Sequence, residues 1–92
     1  AVRIRTFLLT IRLGDDTAAR RADVERLLRR SKVAFELRLT SAEELTYLVS
    51  ADASLETERL SAALAALDPG GRAQIEWKDE RKAYAVERRE PR

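Results

Sequence analysis

Glu44-Leu45-Thr46-Tyr47-Leu48-Val49-Ser50-Ala51 decides the fold. Leu45, Tyr47, Val49 and Ala51 alternate with Glu44, Thr46, Leu48 and Ser50, the period of a strand with one buried face. Immediately before it, Val33 to Thr40 alternates in the same way. Val33, Phe35, Leu37 and Leu39 are expected to point inward, and Ala34, Glu36, Arg38 and Thr40 outward. The polar stretch Thr40-Ser41-Ala42-Glu43 between them turns one strand back against the other.

Upstream, Val2 to Leu13 reads as a first strand. Phe7, Leu9, Ile11 and Leu13 share one face, and Ile4, Thr6, Leu8, Thr10 and Arg12 the other. Apolar residues on both faces suit a central position in a sheet. Gly14 ends the strand, and Asp15 or Asp16 can cap a helix from Thr17 to about Ser31. Its expected buried stripe is Ala18, Ala22, Val24, Leu27 and Leu28. Downstream, Ser54 is placed to cap a second helix, Leu55 to Leu67, buried through Leu60, Ala63, Leu64 and Leu67. Asp68-Pro69-Gly70-Gly71 is a strong stop and turn. Arg72 to Lys78 is a last strand with Ala73, Ile75 and Trp77 inward.

The order strand, helix, strand, strand, helix, strand predicts an α+β domain of ferredoxin-like βαββαβ type over residues 1–78. Its four-stranded antiparallel sheet would run 4-1-3-2, with both helices on one face. Residues 79–92 are charged and are expected to form a tail outside the domain.

Composition narrows the chemistry. The 92 residues are 45% hydrophobic and 37% charged, which is globular and sufficient for one modest core. There is no Cys, His, Asn or Met. Soft or borderline metal sites therefore lack their ligands, and the five serines lack an imidazole to activate them. No phosphate-binding or dinucleotide-binding glycine motif is present. Acylphosphatase-like enzymes of the same topology have an Arg in the first loop and an Asn on the third strand, and this chain has no Asn. The reading is of a non-enzyme without metal or cofactor. The exposed side of the central strands offers no ring for base stacking, so sequence-specific nucleic-acid binding is not expected either.

Three groups of residues remain as candidates. Gly14, Asp15 and Asp16 loosely resemble the loop where ACT-type regulatory domains take up small molecules, without the usual Pro-Gly pair; an ordinary capped turn is the favoured reading. Net charge is +2 but unevenly spread. Residues 1–32 carry nine basic and four acidic groups, and residues 33–68 two and seven. Arg20, Arg21, Arg26, Arg29 and Arg30 on the first helix form either a solvated face or a contact for lipid or an acidic polymer such as polyphosphate. On the uncovered face of the sheet, Leu8 and Leu48 make an apolar centre with Thr6, Thr10, Thr46, Glu36, Arg38, Gln74 and Glu76 around it. The edge Val33–Thr40, with Ala34, Glu36 and Arg38 outward, is a second route to self-association. A homodimer through the face or the edge is expected.

Glu44-Leu45-Thr46-Tyr47-Leu48-Val49, following Thr40-Ser41, resembles the soluble C-terminal domain of a family of bacterial membrane proteins of unknown function, similar to the MgtC/SapB family. Val24-Glu25-Arg26-Leu27-Leu28 before a strand and Ser54-Leu55-Glu56-Thr57-Glu58-Arg59-Leu60 after one fit the same layout, which covers residues 3–78. The resemblance implies an ACT-like regulatory or assembly domain at the cytoplasmic face of the inner membrane. Its partners would be the transmembrane part of a longer chain and the membrane surface, with polyphosphate metabolism as a further lead. A ligand-sensing role, for an amino acid or nucleotide, is the alternative. No functional residue carries over from the family.

Overall fold

A computed structural model describes residues 3–80. The elements follow the expected order: β1 (Ile4–Arg12), a 3-10 turn (Thr17–Arg20), α1 (Arg21–Arg30), β2 (Ala34–Thr40), β3 (Leu45–Asp52), α2 (Thr57–Ala65) and β4 (Gln74–Asp79). The fold is α+β, with one antiparallel four-stranded sheet in the order β2-β3-β1-β4. This is the expected order read from the opposite edge. Asp79, assigned in advance to the tail, belongs to β4 and stands opposite Phe7. Glu80 is also among the described residues; residues 81–92 of that tail lie outside them, as does Val2.

Alternation in the strands fixes which side chains meet the helices. On β1, Phe7, Leu9 and Ile11 are buried; on β3, Leu45, Tyr47, Val49 and Ala51 are. Val24 and Leu28 from α1 and Leu60 and Leu64 from α2 join the same core. At ~25 cal/mol per Å² of apolar surface withdrawn from water, such full burial stabilises by about 1.5–3 kcal/mol per large side chain. The outer strands seal the flanks with partly buried residues, Phe35 and Leu37 from β2 and Ile75 and Trp77 from β4. Trp77 meets Phe7 edge-on, with centroids 5.3 Å apart, and its indole Nε1 donates to Ser61 Oγ of α2 at 2.7 Å.

Four local expectations are corrected. Leu39 does not point inward; it is 45% exposed. Leu37 stands opposite Tyr47 but Leu39 opposite Thr46, so Arg38 is an extra residue, a β-bulge. One inserted residue reverses the alternation beyond it, and Leu39 therefore lies on the face that the helices leave open. Ala22 is exposed, since it stands two residues, about 200° of helical rotation, from Val24.

The expected helix caps also differ. Ser54 does not cap α2, which begins at Thr57 after Glu56. Instead the Asp52 carboxylate accepts the Ser54 backbone N–H at 2.8 Å, turning the chain before the helix starts. Asp16 occupies the cap position of the 3-10 turn without a side-chain hydrogen bond. After α1, Lys32 takes a left-handed φ of 60°, and its N–H reaches the Arg29 carbonyl at 3.0 Å. This closes the helix as a glycine would.

Candidate functional site

The loop Gly14-Asp15-Asp16 is drawn against the turn after α2. Asp68 organises the junction and is only 6% exposed. Its Oδ2 accepts the backbone N–H groups of Gly14 at 3.0 Å and Arg72 at 2.9 Å, and its Oδ1 that of Gly70 at 3.1 Å. Gly71 turns the chain with φ 73°, a conformation that costs other residues strain. Gly14 is required for closeness rather than for φ. A Cβ there would stand 2.6 Å from Arg72 Nε and 2.7 Å from Asp68 Oδ2. The Arg72 guanidinium also pairs with Asp15 across 3.7 Å, in an exposed contact.

Thr17 fastens the other side of the loop. It is fully buried. Its hydroxyl accepts the Leu13 N–H at 3.0 Å and donates to the Glu43 carbonyl at 3.1 Å. Its own N–H donates to the Ala42 carbonyl at 2.8 Å. The first loop is thus tied both to the β2–β3 turn and to the turn before β4. Gly14 and Asp15 serve those ties; Asp16 is exposed beside them. Among the described residues no group of three acidic side chains is placed to hold a metal ion.

Asp68 gives this junction a pH dependence. Burial pushes its carboxyl upward, but the N–H groups of Arg72, Gly70 and Gly14 and the Arg72 charge outweigh that and hold it below the usual range. A folded-state value below the unfolded one contributes stability above the ordinary carboxylate range, lost as pH falls through the folded value. Asp68→Asn keeps the shape but offers one acceptor oxygen instead of two. The variant is expected to unfold at lower urea than the parent at pH 7, with a shallower further loss on acidification below about pH 4. Equal midpoints at pH 7, or parallel acid limbs, would remove this role for Asp68.

The arginines of the 3-10 turn and α1 divide into two groups. Arg21 Nε donates to Glu25 Oε2 at 2.8 Å, Arg29 lies 3.7 Å from Glu25 Oε1, and Arg26 pairs with Asp23 at 2.9 Å. Arg20 and Arg30 have no ion-pair partner among the described residues. Glu25 also accepts the buried Tyr47 hydroxyl at 3.0 Å. Burial pushes the Glu25 carboxyl up; bonds from Arg21 and Tyr47 and the charges of Arg21 and Arg29 bring it below its usual value. The acidic partners that interrupt the basic run therefore engage three of its five cations.

The face of the sheet away from α1 and α2, open among the described residues, contains Leu8, Leu48 and, because of the bulge, Leu39. Leu8 and Leu48 are partly exposed and stand directly opposite one another on β1 and β3. Thr6, Thr10, Thr46 and Ser50 surround them, with Thr6 and Ser50 hydroxyls 3.5 Å apart. Glu36 and Arg38 flank the centre on β2 and pair with each other loosely, 3.7 Å apart in an exposed contact. Glu76 and Lys78 flank it on β4. Ala34 is exposed in the row of Ser50 and Thr6. Arg12 and Glu44 close one end with an ion pair of 2.9 Å. Nothing in the sequence pattern alone signals Leu39 here, since strict alternation assigns it to the core. Compared with protein-family models, curated proteins and solved structures, the chain finds no match.

Proposed function

We propose that the chain is a non-enzymatic regulatory or interaction domain of ferredoxin-like, ACT-like architecture, working through the open face of its sheet. The observation that supports this reading is the apolar centre Leu8–Leu48, widened by Leu39, within a rim of exposed charges. A sheet with one face packed and one wet ordinarily alternates apolar with polar residues. Here two central positions on the wet face are leucine, and a bulge adds a third. The other conspicuous polar groups, Asp68, Thr17 and Glu25, have partners within the fold. Following the resemblance of residues 3–78 to the MgtC/SapB C-terminal domain, we place this activity at the cytoplasmic face of a bacterial membrane protein. Among the described residues no helix is long and apolar enough to cross a bilayer.

The test is in-cell photo-crosslinking from a photoreactive amino acid at position 48, with position 58 on the exposed side of α2 as control. A discrete adduct from 48 and none from 58 is expected. Absence of any adduct from 48 would overturn the reading.

A further inference from the structure

The open face carries charges of opposite sign at its two edges. Across the sheet, one row reads Glu36–Leu48–Leu8–Lys78 and the next reads Leu39–Thr46–Thr10–Glu76, with Arg38 beside Leu39 at the bulge. The two edges are therefore opposite in sign along each row, and the order of signs inverts from one row to the next. We propose that this face binds a second copy of the same chain, about a two-fold axis parallel to the strands and passing between β1 and β3. The proposal rests on the interaction reading above and names its partner.

The axis follows from the residues. It lays the β2 edge of one sheet over the β4 edge of the other. Glu36 then meets the partner's Lys78, Arg38 meets the partner's Glu76, and Leu48 packs on the partner's Leu8. Each contact occurs twice, as an isologous interface requires. An axis across the strands through the leucine row would set Glu36 against the partner's Glu36. Moved half a row along, it would recover the charge pairs but place each leucine on a threonine. Only the first arrangement joins leucine to leucine and opposite charges at all four corners.

Stacked sheets about 10 Å apart leave room for interdigitated leucines. The face is about 19 Å across four strands and about 25 Å along them, which would bury roughly 1,000 Å² in total, the lower limit for a specific interface. Edge pairing along β2 is the weaker route, because the bulge at Arg38 bends and twists that edge.

Light scattering and sedimentation of the whole chain from about 10 μM to 1 mM at low salt test the arrangement, a range chosen for an interface of this size. The parent is expected to dimerise, and Leu48→Lys to remain monomeric throughout. Glu36→Lys alone and Lys78→Glu alone should each weaken association about tenfold, by setting like charges opposite. The combined Glu36→Lys, Lys78→Glu variant should return to within a few-fold of the parent, because the pair is restored with its signs exchanged. Both reversals are at exposed positions, so they stay informative if Leu48→Lys disturbs the sheet.

A constant monomer mass would overturn the proposal, as would a dimer indifferent to Leu48→Lys. Failure of the double reversal to restore association would overturn the two-fold arrangement. If the purified chain is monomeric while position 48 still crosslinks in cells to a different molecule, self-pairing falls and the interaction reading stands.

Discussion

Tyr47→Ala is expected to lower the unfolding free energy by about 3–5 kcal/mol, the cost of deleting a large aromatic from a closed core. Tyr47 is the largest fully buried side chain among the described residues, on the strand that pairs with both β1 and β2. Its ring meets Phe35 edge-on at 5.7 Å, and its hydroxyl reaches Glu25. Truncation leaves a void and takes a hydrogen bond from a carboxylate that α1 holds only 14% exposed at its side chain. Tyr47→Phe separates the two effects. It keeps the ring and loses one hydrogen bond to a charged group, about 1.5–3 kcal/mol.

The same pair predicts an alkaline limb. Burial first, then the bond to Glu25 and its charge, raises the Tyr47 phenol above its ordinary value. Its contribution is therefore complete below the unfolded value, about 10, and is lost as pH rises through the folded one. Tyr47→Phe should flatten that limb. Urea unfolding at pH 7 and above pH 10 measures both effects. A loss below about 1 kcal/mol for Tyr47→Ala would contradict its place in the core.

What the sequence makes legible follows from periodicity. Leu45, Tyr47, Val49 and Ala51 alternate without interruption, and β3 is buried at those four positions. Phe7, Leu9, Ile11 and Leu13 likewise yield β1 and its buried face. Two long alternating strands, two helices each with one apolar stripe, and the Pro-Gly-Gly stop suffice for the sheet order. Features set by a single residue's count or contact are not legible in this way. The bulge at Arg38 has no compositional mark, yet it moves Leu39 from the core to the open face. Asp68 reads as part of a turn; that its carboxylate also accepts the Gly14 N–H, 54 positions away in sequence, depends on the tertiary fold. Glu25 reads as a solvated helix charge because its partner Tyr47 is on another element. For the candidate site, Leu8, Leu48, Glu36, Arg38 and Glu76 are legible in the sequence, but Leu39 and Lys78 are not, and neither is the pairing of rows. It needs the register of β1 against β4, which brings Lys78 level with Leu8.

Leu64→Ala should cost about 2–5 kcal/mol, a large share of the 5–15 kcal/mol that stabilises a domain of ordinary size. α2 has nine residues, and only Leu60 and Leu64 are fully committed to the core. A helix this short does not persist alone in water, so docking of its apolar face maintains it. Leu64 is fully buried, whereas Leu60 retains 5% exposure. Losing the Leu64 contacts should therefore loosen the whole helix and the Ser61–Trp77 hydrogen bond beside it. Trp77 is the sole tryptophan, so its fluorescence reports that junction directly. Each kcal/mol corresponds to roughly 4–8 °C in Tm for a domain of this length, so the midpoint should fall by at least about 8 °C. Ala62→Gln, on the exposed side of the same helix, should stay within about 0.5 kcal/mol. Trp77 emission and far-UV circular dichroism, followed together through urea unfolding, should shift in parallel for Leu64→Ala and scarcely move for Ala62→Gln. If Leu64→Ala costs less than about 1 kcal/mol, α2 does not pack on the sheet through this residue, and the core lacks the second helix on which its closure depends.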